Sequence, residues 1–159
     1  MSRPYHQQGG HRGGAPTSPP PKVTALFDPS KPDRELYDSL AEQQADSISG
    51  EVNSSQLRRY FGELKGLYNQ YRAITAGADD PTRQQRYADR IEPRFKMLRS
   101  KIAYGRRQSG RQAEALKMFC GFLDDGIQKV NDATQFERFV LHVEAVVGFM
   151  YGNGKVSKS

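Results

Sequence analysis

The chain has 159 residues, 24 Lys and Arg against 18 Asp and Glu, and one cysteine. That length points to a single domain, and the net charge of +6 with pI near 9.5 fits a polyanionic partner such as nucleic acid or an anionic surface. The lone Cys120 excludes an internal disulfide and suits a reducing compartment. The start of the chain has no apolar signal-peptide core, and no apolar run reaches the ~20 residues of a membrane span, so the expectation is a cytoplasmic protein that does not enter a membrane.

Residues 1–32 hold seven of the nine prolines and four of the fifteen glycines, with four basic residues against Asp28. Such a stretch buries too little apolar surface to offset its ordering entropy, and it reads as a disordered tail. Val23 to Phe27 is a short apolar island within it that can dock on the body or on a partner. Residues 33–152 read as a helical domain and 153–159 as a flexible C-terminal tail.

Asp33 can cap a short first helix carrying Leu36, Tyr37 and Leu40. A second helix is predicted over Ser54–Ile74, capped by Ser54 or Ser55. Leu57, Phe61, Leu64, Tyr68 and Tyr71 recur there at spacings of four, three, four and three, which places them on one face. Arg58, Arg59 and Lys65 lie off that face. Gly77 breaks the chain, and Asp80-Pro81 reads as a cap followed by proline in the first turn, where its missing N–H costs nothing. The third helix turns Tyr87, Ile91, Phe95, Leu98 and Ile102 inward, and Pro93 should kink or split it.

This third segment is also the most basic. Ten cations run from Arg83 to Arg111, opposed by Asp89 and Glu92 alone. At roughly 100° per residue, Arg83, Arg86, Arg90, Arg94 and Lys101 share a sector of roughly 80° beside the apolar stripe. Arginine offers phosphate a planar, bidentate fork, so the ridge suits a phosphate backbone; a solvated face is the plainer reading. A phase change at Pro93 would separate Arg83–Arg90 from Arg94–Lys101. Next come Tyr104, Gly105, Arg106 and Arg107, in a turn that Gly105 and Gly110 are expected to make. Tyr104 either completes the core or supplies a stacking ring beside two arginines, the pairing with which proteins hold single-stranded nucleic acid.

A fourth helix from about Arg111 carries Leu116, Phe119, Cys120, Leu123, Ile127 and Val130. Asp132 or Thr134 caps a fifth, with Phe136, Phe139, Val140, Val143, Val147 and Met150. No segment has the alternation of a strand. The fold class is therefore all-α, a compact bundle of about five helices.

Catalytic and metal chemistry find no support. His6 and His11 sit in the tail, His142 stands alone and Cys120 holds a core position, so no set of about four convergent zinc ligands exists. Asp124 and Asp125 are adjacent and diverge on a helix, as solvated side chains or near a helix end. No histidine or carboxylate pair accompanies the basic ridge, and no phosphate-binding glycine loop precedes a helix. Neither a cofactor nor enzymatic activity is expected.

Three segments together, Ser54–Tyr71, Arg90–Arg107 (RIEPRFKMLRSKIAYGRR) and Phe136–Gly152 (FERFVLHVEAVVGFMYG), resemble in order the small subunit of the type III-A CRISPR effector, the Csm complex. The most specific elements are Ser-Gln-Leu-Arg-Arg-Tyr-Phe and Lys-Ile-Ala-Tyr-Gly-Arg-Arg. The resemblance runs from about Ser54 to Gly152 and leaves the tail and the first helix uncovered. It implies a non-catalytic helical bundle that stacks in several copies beside the backbone subunits, within a complex that also holds a large subunit. There it would steady target RNA and the guide–target duplex through the backbone in antiviral defence. The matched cations are Arg58, Arg59, Lys101, Arg106 and Arg107; Arg94, Arg99 and Arg111 join them on local charge. Leu57, Phe61, Leu98, Ile102, Phe136 and Phe139 fall on positions expected in the core or a subunit interface. From a different class comes the alternative of a free-standing helical module that binds another protein and keeps its basic face wet.

Overall fold

A computed structural model describes residues 25–107, 110 and 113–158. Residues 1–24, most of the expected tail, and Arg111 lie outside the described residues. The elements are α1 (Asp33–Leu36), α2 (Ser39–Asp46), β1 (Val52–Asn53), α3 (Ser54–Thr75), α4 (Asp80–Arg86), a π-helical segment (Tyr87–Ile91), α5 (Glu92–Gly105), α6 (Ala113–Lys129), α7 (Ala133–Gly152) and β2 (Val156–Ser157). The protein is all-α, with one two-residue parallel strand pair that sequence periodicity did not suggest.

Helix α7 forms the core because its apolar residues face inward on more than one side: Phe136, Phe139, Val140, Val143, Val146, Val147 and Met150 are all buried. Phe136 meets Phe95 edge-on at 4.9 Å and Tyr71 edge-on at 5.5 Å, with the Tyr87 ring tilted against it at 5.3 Å, joining α7 to α3 and to the α4–α5 rod. Burial pushes the Tyr71 phenol up to about 12 and the Cys120 thiol up to about 12, which keeps both neutral.

Three boundaries differ from the sequence reading and a fourth selects between its two candidates, each for a local reason. Helix α3 is capped by Asn53, whose side chain accepts from the Ser55 and Gln56 amides, and Ser54 turns inward instead. Asp79 caps α4 through the Thr82 amide, leaving Asp80 and Pro81 inside the first turn. Asp33 caps nothing; its carboxylate accepts from Arg138 Nε at 2.6 Å. Of the two candidates for α7, Asp132 is the cap, accepting from Gln135 N.

Pro93 divides the third predicted helix into α4, a π turn and α5. Proline has no amide to donate and its ring crowds the carbonyl of the preceding turn. The chain widens by one residue just before it, with the Glu92 amide reaching back to the Tyr87 carbonyl, and Pro93 falls in the first turn of α5.

Both predicted tails join the body where they are described. Ala25 and Phe27 are buried, and Phe27 packs edge-on against Phe139 at 5.2 Å. The Ala25 amide donates to Asp125 at 2.7 Å, the Leu26 amide to Gln44 Oε1 at 2.5 Å, and Lys129 Nζ to the Ala25 carbonyl at 2.7 Å. The apolar island read at Val23–Phe27 thus docks on the body through its described residues, Ala25 to Phe27. At the other end, Gly154 at φ +70° closes α7, with Lys155 N donating to Met150 O at 2.8 Å. The chain then turns back and β2 pairs with β1, placing Val156 opposite Val52, which is buried.

Candidate nucleic-acid interface

The cations of the third segment belong to one rod whose two flanks face different neighbours. Toward α3, Arg86 donates to the Ile74 carbonyl at 2.7 Å, Arg94 to Gln70 Oε1 at 3.1 Å, and Lys101 pairs with Glu63 at 2.7 Å. The partners descend in number as the donors ascend, so the predicted ridge laces α5 antiparallel to α3. Toward α6, Lys96 Nζ donates to the Ile127 and Val130 carbonyls, both at 2.7 Å, occupying acceptors that the end of a helix leaves open. Desolvation at this site lowers the Lys96 ammonium from its ordinary value.

Asp124 is the second anchor on that side. It accepts from Arg99 Nε at 2.7 Å and lies 3.4 Å from Arg106 Nη1, and its side chain is only 18% exposed. The adjacent Asp125 has a different task, holding Ala25 and pairing with Lys129 at 3.2 Å. Both aspartates are therefore structural acceptors, each aimed at a different segment.

A second group of cations is not laced. Arg58, Arg59, Arg90 and Arg107 are exposed and have no hydrogen-bond or ion-pair partner among the described residues. Arg59 and Arg107 stand near one end of the bundle, where α3 begins and α5 finishes. What brings those ends together is Gly105: a Cβ there would lie 2.1 Å from the Tyr60 hydroxyl oxygen, so only glycine lets Tyr60 seat against the last turn of α5. Arg59 and Tyr104 both act electrostatically on the Tyr60 phenol, which burial raises above its ordinary range. Gly105 ends α5 at an ordinary φ, and the positive φ in this turn belongs to Gly110.

Tyr104 is 65% exposed, so the core alternative for it does not hold. Phe95, Leu98, Ile102 and Gly105 make the inward stripe of α5, and Tyr104 stands off it, beside Arg106 and Arg107. Of the sequence-predicted cations, Arg94, Arg99, Lys101 and Arg106 are tethered, Arg58, Arg59 and Arg107 are not, and Arg111 is not described. Leu57, Leu98, Ile102, Phe136 and Phe139 are buried, with Phe61 half-buried. Tyr60, three residues after Leu57 and four before Leu64, belongs to the buried face of α3, where the sequence reading chose the half-buried Phe61 instead; its partner Gly105 was read as a turn residue and serves as a seat.

Among the described residues no group of three or more His, Cys, Asp or Glu could hold a metal ion. His142 is fully buried, with Nδ1 2.6 Å from the Leu36 carbonyl, and its pKa is lowered by burial against the opposing pull of that carbonyl. No described helix is long and apolar enough to cross a membrane.

Fold and surface together define a small helical-bundle protein whose last helical turn of α5 opens into an exposed basic edge. The sequence matches the Csm2 Type III-A family over residues 31–152, and the chain belongs to that family: it is a small subunit of the type III-A Csm complex. The match takes in α1 and α2, which the sequence resemblance had left uncovered. No curated protein and no solved structure matches the chain.

Proposed function

We propose that this subunit is non-catalytic and acts in the cytoplasm, stacking in several copies along the backbone subunits and near the large subunit. In that position its basic edge steadies target RNA and the guide–target duplex through phosphate contacts. The observation that carries this reading is the group of Arg59, Arg106 and Arg107 at the junction of α3 and α5. Arg59 and Arg107 have no partner among the described residues, and Arg106 has one long, half-exposed contact that phosphate can replace. Contacts of this type fix a strand without reading its sequence. Modest affinity per copy suffices, because neighbours in a stack raise each other's effective concentration. Membership in the family argues against the free-standing module.

The test is to purify the tagged protein from its own cells. Short guide RNAs of uniform length should accompany it, together with larger repeated subunits. Arg106→Glu with Arg107→Glu should keep those subunits and lose target-RNA binding. Emergence of the protein without RNA or Csm partners contradicts the proposal.

A further inference from the structure

Tyr104 presents a ring to solvent at the C-terminal end of α5, where Arg59 and Arg107 have no carboxylate partner among the described residues. Met97, also on α5 and 59% exposed, makes an instructive contrast. It borders a groove shared with Glu63, Gln70, Arg94 and Lys101, where each charge already has a partner across the groove. At Tyr104 the flanking cations are Arg59, Arg106 and Arg107, and among the described residues the only carboxylate bound to any of them is Asp124, at 3.4 Å. Tyr60 fills the space beneath the last turn, so Tyr104 cannot fold back into the core.

An aromatic face beside unneutralised cations matches the two needs of an unpaired nucleotide, a π surface for the base and positive charge for its phosphate. A duplex offers only the second, because its bases are already stacked on one another. Resting on the RNA-binding reading above, we propose that Tyr104 is a stacking platform for a single unpaired nucleobase, with Arg59 and Arg107 engaging the flanking phosphates. The site therefore favours single-stranded target RNA over the paired segment.

The experiment measures binding of the full chain, by fluorescence anisotropy at low salt, to three labelled probes. These are a short oligoadenylate, the same strand with its bases removed, and a duplex of equal length. For the wild type the expected order is oligoadenylate tightest, with the abasic strand about tenfold weaker. Tyr104→Ala should weaken oligoadenylate by about tenfold, to the level of the abasic strand, and shift duplex binding by under about twofold. Tyr104→Phe should behave as wild type, since the ring is what stacks. Equal loss for oligoadenylate and duplex, or no loss for either, overturns the stacking role while leaving the phosphate contacts standing. Loss of another Csm subunit on Tyr104→Ala with RNA affinity intact assigns the ring to a protein interface and overturns it as well. If the wild type binds none of the probes, the RNA reading fails and the stacking role with it. Tyr104 is exposed, so thermal unfolding of the variants should match the wild type.

Discussion

The middle of α5 and its C-terminal end carry the same kind of residue and use it differently. In the middle, Arg94, Arg99 and Lys101 reach across to Gln70, Asp124 and Glu63, and Lys96 closes the end of α6. At the end, Arg107, and Arg59 from the neighbouring helix, have no described partner. Cation density along a sequence therefore measures two things at once: how helices are tied together, and how much charge is left to offer a ligand. Exposed pairs of the first kind contribute about 0–1 kcal/mol each to stability, so the lacing sets orientation more than it sets strength.

The largest effect expected from this contrast is at the open end. Arg59→Glu with Arg107→Glu replaces two attractions of about 1 kcal/mol each with repulsions of about the same size, and RNA affinity should fall by about 1,000-fold at low salt. Equal losses from reversing Arg94 and Lys101 would erase the distinction between the two regions. The seat beneath that end gives the next effect. Gly105→Val forces Tyr60 away from α5, which should cost about 1–3 kcal/mol in urea unfolding and weaken RNA binding through the displaced α3.

A gain of affinity would sharpen the contrast further. Glu63→Gln and Asp124→Asn release Lys101, Arg99 and Arg106 from their carboxylates. Combined, they should tighten RNA binding several-fold and steepen the salt dependence by about 0.7 for each cation newly engaged. The smallest effect belongs to Arg94→Ala, whose guanidinium is tied to the neutral Gln70 amide, and the change should alter RNA affinity by less than about twofold at moderate salt.

The helices and most of the core were legible because amphipathic periodicity is a local property. The stripes through Leu57–Tyr71, Tyr87–Ile102, Leu116–Val130 and Phe136–Met150 all turn inward, with Phe61 only half-buried. What escaped was set by contacts between distant positions. Asp124 read as solvated or near a helix end and Glu63 drew no notice, because their partners Arg99 and Lys101 lie 25 and 38 residues away in sequence. The island at Val23–Phe27 was legible as able to dock, but its polar partners Asp125 and Gln44 lie outside the tail and were not. The cation list was readable from sequence; which of those cations are already tied was not.

The central claim, that the basic edge holds RNA through about three phosphates, is tested most directly by the salt dependence of binding. The affinity of the full chain for a single-stranded RNA should be measured across a range of potassium chloride concentrations. Three contacts predict a slope near −2 for the logarithm of affinity against the logarithm of salt. A slope close to zero would contradict the account and return these arginines to an ordinary solvated surface.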